Sequence, residues 1–250
     1  MRKEEIAMNY DGFLELVKKR RSIRRFKPDP IPDEYVDKII EAARWAPSGF
    51  NSQPWEFVVV KKRELKDSIV QFANEYRSQA GKMELTRESW QRAASWYSKF
   101  SKEMDYTSAP VFIILFGDTR TQMGLPMFIR FDHAMRQSVF NSSLANAFIY
   151  MHLAATTLGL ASQWVSGVGF PFSQCMIKEL LGIPRELEIY DMMAVGYPAV
   201  KSRSKLVRGK EKMVHHDYCG EQDFRTEEEV KDFIVRTRTW VVATTIRRPD

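Results

Sequence analysis

Apolar side chains recur at intervals of three and four residues in several stretches of the chain, the spacing of an amphipathic helix. The first predicted helix begins near Asp11 and turns Phe13, Leu14 and Val17 inward. A second helix is predicted after Ile31, because proline tolerates a first turn and the acids at 33 and 34 favour the positive helix N-terminus. The same spacing predicts later helices over about 63–80, 86–104, 133–158, 173–181 and from 226 onward.

Short apolar runs between these helical stretches predict β-strands. The run WEFVVV at 55–60 is nearly all apolar, which predicts burial on both faces of a sheet. Further strands are predicted at 109–116, 161–165 and 188–197, and a strand-like run follows the last helix at 241–246. Helices that alternate with strands predict an α/β or an α+β sandwich, with a sheet between helical layers.

The helix predicted over about 133–158 is apolar on nearly every side. Such a helix lies either at the centre of a core or in a dimer interface. Gly159 is expected to end it, since glycine favours the position just after a helix. Ser173 is expected to cap the helix that follows, and Thr226 with Glu229 has the spacing of a capping box.

The composition indicates one large globular domain with appendages. The chain has 250 residues, of which 44% are hydrophobic and 28% charged. Its longest apolar run, residues 111–116, is far too short to cross a membrane, and the acids near the N-terminus argue against export. Cys175 and Cys219 give neither a disulfide framework nor the spacing of a metal site. We therefore expect a cytoplasmic protein with no membrane segment and no metal.

The formal net charge of +6 comes with two basic clusters, at 18–25 and 201–212. An excess of cations suits nucleic acid, an anionic membrane or a small anionic ligand. No nucleic-acid motif occurs, and the cations are not interleaved with aromatic residues as in single-strand binders. The clusters either converge on one anion or form two solvated surfaces.

The segment RRSIRRF at 20–26 has the residue types that bind phosphate. Arginine forks match phosphate oxygens in pairs, and a nearby hydroxyl adds a donor. The alternative is a solvated basic surface at a helix C-terminus.

A second stretch, APSGFNSQPW at 46–55, is stiffened by two prolines and exposes backbone amides. It suits contact with a planar heteroaromatic ring. The alternative is an ordinary connection between a helix and a strand.

These two stretches together resemble the N-terminal signature of the nitroreductase family. The resemblance continues in LAATTLGLASQWVSGVG at 153–169, in IKELLGIPRELEIYDMMAVGYPA at 177–199 and in the basic residues before VHHDYCG. It implies an α+β, three-layer α-β-α sandwich with a mostly antiparallel central sheet and a long central helix at the dimer interface. It also implies an FMN-binding domain at 1–220, with an inserted helical lid at about 75–130. The remainder, 221–250, is expected to wrap the partner subunit as a C-terminal arm.

The resemblance implies that FMN is held mainly from the basic segment and from a later strand end. Arg20, Arg21 and Ser22 match positions that hold the phosphate and ribityl chain, and Arg24 matches a cation at the N1/O2 edge of the flavin. The residues that pass the flavin N5 are Trp164, Val165, Ser166 and Gly167.

Two further groups complete the implied site. The loop that the partner subunit lays over the ring contains Pro47, Ser48, Gly49, Asn51 and Gln53. A second set of cations, Lys205 and Arg208, clamps the phosphate, with Lys210 as an alternative to Lys205.

The function implied is that of a homodimeric NAD(P)H-dependent FMN oxidoreductase. Hydride passes from NADH or NADPH through the flavin N5 to a small electron-poor acceptor, such as a nitroaromatic, a quinone or an activated alkene, in a ping-pong cycle. No side chain stands out as a catalytic acid, and His215 and His216 are expected to be structural. The alternatives are a reductive dehalogenase or another specialised enzyme of the same superfamily, a flavin-binding protein without turnover, and a basic nucleic-acid-binding module.

Overall fold

The computed structural model describes residues 9–83, 86, 88, 106–202 and 205–246. The contacts divide the chain into two compact units, one formed by 1–77 with 104–202 and the other by 78–103 with 203–250. The helix predicted over 86–104 falls almost entirely outside the described residues.

Six α-helices are described wholly or largely in the first unit. They are α1 (Tyr10–Lys19), α2 (Asp33–Arg44), α3 (Arg63–Met83), α4 (Met127–Arg130), α5 (His133–Thr157) and α6 (Pro171–Leu181). The long helix predicted over about 133–158 is therefore confirmed as α5. Asp132 caps it by accepting a hydrogen bond from the backbone N–H of Met135 at 3.0 Å, and Gly159 follows it with a left-handed φ of 73°.

Four antiparallel strands form the sheet of the first unit. They are β1 (Trp55–Val60), β2 (Val111–Asp118), β3 (Ala161–Val165) and β4 (Leu187–Gly196). Their spatial order is β1-β2-β4-β3. Leu115 of β2 pairs with Asp191, but the next residue, Phe116, pairs with Ile189, so Tyr190 is the extra residue of a β-bulge.

Helices cover both faces of this sheet. Phe112, Ile114 and Phe116 of β2 are buried in one cluster with α3 and α6. The alternate residues Ile113 and Leu115 are buried in a second cluster with α2 and α5. The α+β, three-layer α-β-α sandwich with an antiparallel sheet is thus confirmed, and the two-residue period of β2 accounts for both cores.

One of the two expectations about burial is wrong. No residue of α1 is buried: Phe13 is 48% exposed and Val17 is 41% exposed in the single chain. Strand β1 does have buried side chains on both faces, Val60 in one cluster and Trp55 in the other, although it lies at the sheet edge and exposes Glu56. Apolar composition alone does not distinguish an edge strand from a central one.

The expected cap of α6 is also wrong. That helix begins at Pro171, where proline tolerates the first turn. Ser173 lies inside the helix, and its hydroxyl donates to the carbonyl of Phe72 at 3.2 Å.

The second unit contains α7 (Glu227–Ile246). The capping box is confirmed, since Thr226 N–H donates to Glu229 Oε2 at 2.9 Å and Glu229 N–H donates to Thr226 Oγ1 at 3.2 Å. The run 241–246 is helical rather than a strand, because β-propensity is weak against the cooperative extension of a helix already started. No helix in the described part of the chain is long and apolar enough to cross a membrane.

The inserted helical lid and the C-terminal arm stay predictions, except for one part of the lid range. Strand β2 lies inside the range 75–130 and is a central strand, so a helical lid does not include 111–118. The wrapping of a partner subunit by 221–250 remains a prediction.

Candidate functional site

The basic segment at 20–26 lies beside β3, the strand at one edge of the sheet. Ser22 forms a parallel bridge with Ser162 of β3, and the Ile23 N–H donates to the Ser162 carbonyl at 3.1 Å. Ile23 and Phe26 are buried and anchor the segment, whereas the Ser22 side chain is exposed. The polar residues of the segment are therefore held next to β3.

Arg20 is one of three half-buried cations of this segment, with Arg21 and Arg24. Its backbone N–H caps α1 by donating to Leu16 at 3.0 Å, and its carbonyl accepts a bond from Arg21 Nη1 at 2.7 Å. Burial lowers the pKa of the Arg20 guanidinium, and the neighbouring charge of Arg21 lowers it further. Two adjacent guanidinium groups, one of them poorly solvated, favour an anionic ligand.

Trp164 of β3 is surrounded by aromatic rings. His152 of α5 stacks on its indole at 5.7 Å with an interplanar angle of 13°, and Phe148 meets it edge-on at 4.5 Å. Tyr190 lies 6.2 Å away between centroids. Trp164 remains 37% exposed, so one part of this aromatic cluster faces outward.

His152 is a buried neutral histidine beneath the basic segment. Its Nδ1 shares a hydrogen bond of 2.7 Å with Ser162 Oγ, and its buried Nε2 has no hydrogen-bond partner among the described residues. Burial, and then the charge of Arg20, lower the pKa of His152 to about 3. His152 and Ser162 lie ten positions apart on different elements, so no local sequence pattern predicts their contact.

Asp191 of β4 is a buried carboxyl group beside Trp164. It is 8% exposed, and it accepts hydrogen bonds from Trp164 Nε1 and from the Ser166 hydroxyl. Burial raises the pKa of Asp191 to about 6, although the two hydrogen bonds oppose the shift. The signal in the sequence was an acid inside the apolar run EIYDMMAVGY.

The four residues from 164 to 167 link β3 to a short helical turn. Val165 is the last residue of β3, and a 3-10 helix then covers Ser166–Gly169. Val165 and Gly167 are buried, whereas Ser166 is exposed apart from its bond to Asp191. The structure thus brings Arg20 and Ser22 close to this turn through Ser162.

The loop at 47–53 is fixed to the first half of α5. The Gly49 N–H donates to Ser143 Oγ at 3.0 Å, and Asn146 Nδ2 donates to the Pro47 carbonyl at 3.0 Å. A Cβ added at Gly49 would lie 2.4 Å from Val139 Cγ1, so only glycine fits this approach.

The same loop is braced internally. The Gln53 N–H donates to Ser48 Oγ at 3.1 Å, and Gln53 Nε2 donates to Asn51 Oδ1 at 3.0 Å. Phe50, Asn51 and Gln53 have φ values of 55°, 51° and 42°, a conformation that L side chains rarely adopt. Backbone strain of this kind is found mostly in loops that bind a ligand or form an active site.

The loop and the basic segment lie beside different positions along the axis of α5. Ser143 contacts the loop and His152 lies by the basic segment, roughly 13 Å further along the axis at about 1.5 Å per residue. One chain therefore brings the basic segment and the 164–167 turn together, but holds the loop on another part of α5.

The second set of cations lies in the other unit. Lys205 is exposed, and Arg208 is half-buried with Nη2 donating to the carbonyl of Lys212. Their expected contact with the phosphate stays a prediction.

A cavity of about 570 Å³ adjoins the basic segment. Its charged side chains are Lys19, Arg21 and Lys201, and none of the described residues that line it is an acid. The electrostatic potential of this region therefore favours anions.

Comparison with known proteins assigns the family. The model of the nitroreductase family matches residues 17–197, which include the basic segment, the loop and the 164–167 turn. Iodotyrosine deiodinase 1 of Rattus norvegicus is 36% identical over 118 residues, which is 45% of this chain and 39% of the relative. A protein of Methanothermobacter thermautotrophicus that carries a provisional name as an NADH dehydrogenase/NAD(P)H nitroreductase is 30% identical over 203 residues, 78% of this chain and 85% of that protein.

Solved structures share the fold. Iodotyrosine deiodinase bound to FMN and 3-iodo-L-tyrosine has a TM-score of 0.64 at 23% identity and covers 82% of this chain and 99% of its own. A nitroreductase with bound FMN from Bacteroides fragilis has a TM-score of 0.59 at 23% identity and covers 84% of this chain and 100% of its own. This chain belongs to the nitroreductase family.

Proposed function

We propose that this protein is an FMN-dependent oxidoreductase that takes electrons from NADH or NADPH and delivers them to a small electron-poor acceptor. The observation that carries the proposal is the bridge between Ser22 and Ser162. It places the arginines of the basic segment beside the 164–167 turn, although more than a hundred residues separate the two stretches. Two groups that the family resemblance assigns to one cofactor are neighbours in space.

The basic segment fits the phosphate end of FMN. Arg20 is half-buried, and the two causes that lower the pKa of its guanidinium are burial and a second cation. A phosphate dianion offsets both, because it restores hydrogen bonds and neutralises like charges. The exposed hydroxyl of Ser22 adds a further donor next to Arg20.

The 164–167 turn and Arg24 fit the ring end. Arg24 is half-buried on the same segment, and a fixed cation at the N1/O2 edge favours the reduced flavin. The turn offers the backbone and hydroxyl of Ser166 at an exposed position. Bound FMN would supply the redox chemistry, by accepting hydride from the nicotinamide and passing it to the acceptor. The chain supplies binding, orientation and charge.

A homodimer completes this site. The loop at 47–53 lies on the first half of α5, away from the basic segment of its own chain. The single chain also exposes large apolar side chains on α1 and around α4, among them Phe13, Val17, Phe128 and Phe131. Apolar surface of this kind marks an interface, and a second copy would both cover it and bring its loop to the flavin.

Turnover tests the proposed activity. In the absence of air, the FMN-loaded protein is expected to oxidise one equivalent of NADH or NADPH as its flavin is reduced, and to continue only when an acceptor such as a nitroaromatic or a quinone is added. Initial rates at several acceptor concentrations should give parallel double-reciprocal lines, because reductant and acceptor use the same site in turn. FMN-loaded protein that neither nucleotide reduces would be a flavin-binding protein without turnover.

Mixing two defective variants tests the shared site. In Gly49→Val the added side chain would collide with Val139 and displace the loop, and in Arg20→Ala the phosphate site loses one of its half-buried cations. In a mixed dimer, one of the two sites carries both defects and the other carries none. Random exchange of equal amounts should restore about a quarter of the wild-type sites, since half the dimers are mixed. Activity no higher than the average of the two variants would place the loop and the arginine in the same subunit's site.

Reductive dehalogenation is the second candidate activity. Relatives named as iodotyrosine deiodinases occur among mammals and also in Thermotoga neapolitana, at 29% identity over 74% of this chain. The chemically reduced protein is then expected to release iodide from 3-iodotyrosine in proportion to its flavin. Release of iodide with no reduction of nitroaromatics would favour this candidate over the first.

A further inference from the structure

We propose that Asp191 is a positioning residue that fixes the 164–167 turn, and through it the flavin; this inference rests on the proposed function. The Asp191 carboxyl accepts hydrogen bonds from Trp164 Nε1 and from the Ser166 hydroxyl. These donors lie on either side of Val165, at the end of β3. One buried group thus holds two residues of the turn that the family resemblance places at the flavin N5.

The β-bulge explains why an acid can reach this turn. In a regular strand Tyr190 and Asp191 would point to opposite faces, but the extra residue at Tyr190 turns both toward α5. Tyr190 contacts Phe148 of α5 at 5.9 Å, and Asp191 meets Trp164, which also packs on α5. Trp164 pairs with Met193, so Asp191 is its diagonal neighbour on the adjacent strand.

Few other titratable groups face this carboxyl. Tyr190 lies beside it on β4, and both burial and the negative charge of Asp191 raise the pKa of that phenol. His152 of α5 stacks on Trp164 and stays neutral because its pKa falls to about 3. Arg20 is the cation next to His152 and stays charged. Between pH 5 and 7 the change of charge at the turn therefore comes from Asp191, whose pKa is about 6.

Asp191→Asn and Asp191→Leu separate these effects. The asparagine keeps an acceptor oxygen without the negative charge, whereas the leucine removes both. We expect the midpoint potential of FMN bound to the wild-type protein to show an additional inflection near pH 6 when it is plotted against pH. Asp191→Asn should still bind FMN but lose that inflection. Asp191→Leu should bind FMN roughly tenfold more weakly or worse, because two donors lose their charged partner. Trp164→Phe removes one donor only and should give an intermediate loss.

The pH profile decides the outcome. An unchanged inflection in Asp191→Asn, in protein that carries FMN, would overturn the role of Asp191 and leave the proposed function standing. Wild-type protein that binds no FMN would overturn both. A purely structural role would change the stability of Asp191→Leu without moving the pH profile of the bound flavin in Asp191→Asn.

The geometry also points to a transition-metal site in the second unit, at His215, Cys219 and Asp223. One ligand atom from each of these residues lies within 4.8 Å of the others. The backbone N–H of Gly220 donates to Asp223 Oδ2 at 2.8 Å and orients the carboxylate. The sequence alone predicts a structural role for His215, because His215 and His216 adjoin Asp217 but no further set of ligands is visible there.

The chemistry of the three donors favours Zn²⁺ over Mg²⁺ or Ca²⁺. Imidazole and thiolate are ligands of zinc, whereas the hard cations take oxygen. Tetrahedral bonds of about 2.0–2.3 Å put ligand atoms roughly 3.3–3.8 Å apart, so the present separations close with shifts of about 1 Å. All three side chains are exposed, and rotation about their own bonds provides such shifts. Water would occupy the fourth position.

Cobalt reports directly on such a site. With Co²⁺ added to the flavin-loaded protein, we expect thiolate-to-cobalt absorption and tetrahedral bands in the red, beyond the absorption of oxidised flavin. Cys219→Ser and His215→Ala should lose these bands, while Cys175→Ser, which removes the other exposed cysteine, keeps them. Dialysis against Zn²⁺ should leave about one ion per chain in the wild type and none in Cys219→Ser. Cobalt spectra that Cys219→Ser does not change would overturn the site.

Discussion

Arg20→Ala is expected to bind FMN roughly 10- to 150-fold more weakly than the wild type, because a hydrogen bond between charged partners contributes about 1.5–3 kcal/mol. Arg20 is expected to carry the largest share among the basic residues, because burial and the charge of Arg21 both lower the pKa of its guanidinium. In the free protein this charge is poorly solvated, so the phosphate gains the full benefit of neutralising it. Fluorescence titration of the apoprotein with FMN measures the change directly.

Arg25→Ala is the matched control for this experiment. Arg25 belongs to the same basic segment but is exposed, and its backbone carbonyl still accepts the bond from Ala199 at 3.0 Å in the variant. We expect Arg25→Ala to bind FMN within about threefold of the wild type, as a screened surface charge does. Equal losses in both variants would mean that the segment acts only through its total charge, and no loss in either would remove it from the site.

Acidification is expected to destabilise the fold through His152 by on the order of 4–5 kcal/mol. The pKa of His152 is about 3 in the folded protein, against an ordinary value of 6.5. Its contribution to stability is complete above pH 6.5 and is lost as pH falls toward 3, because the unfolded chain then binds a proton that the folded chain does not. The pKa of His152 is lowered because the ring is buried, with 1% exposed, and because the positive charge of Arg20 lies next to it.

Asp191 works in the opposite direction over part of this range. Its folded pKa is raised to about 6 from 3.8, so the folded state binds the proton more readily and gains stability as pH falls from 6 toward 3.8. The effect of His152 is therefore read as a difference between variants and not from the wild type alone. Urea unfolding at several pH values between 7 and 4 gives the required free energies.

His152→Phe is the informative variant for the acid response. Phenylalanine keeps a ring against Trp164 and Phe148, but it has no group to protonate and gives up the bond to Ser162. We expect it to be less stable than the wild type at pH 7 and to lose much less stability on acidification. His133→Phe, a change at an exposed histidine, should respond to acid as the wild type does. Parallel acid losses in His152→Phe and the wild type would contradict the assignment.

Sequence patterns predicted the helices correctly where all the residues of a pattern lie within one helix. The signals for α2, for α5 and for the capping box of α7 each lie within one helix, and all three predictions are confirmed. They are the proline and acids that open α2, the apolar residues on nearly every side of α5, and the pair Thr226 and Glu229. The run 241–246 was misjudged because its β-branched residues say nothing of the helix that leads into them. Helix formation is cooperative, so the preceding turns decide the conformation.

The candidate site shows a different limit. The family resemblance named Arg20, Ser22 and Trp164–Gly167, and the structure brings these together through Ser162. It did not name His152 or Asp191, whose importance arises from contacts between separate elements: a stacked ring on α5, and a bulge that turns an acid toward α5. Register and bulges depend on pairing across a sheet, which no single strand records. The exposure of Phe13 and Val17 likewise depends on what covers α1, not on its own pattern.

The visible absorption spectrum of the purified protein, before and after denaturation, is the first measurement to make for the proposed flavin site. We expect a flavin spectrum and the release of FMN at about one per chain, since the basic segment and the 164–167 turn occur once in each. Such a result would leave the acceptor as the open question. A colourless protein that also fails to take up added FMN would rule out the flavin site, and its basic segment would then be a surface for some other anion.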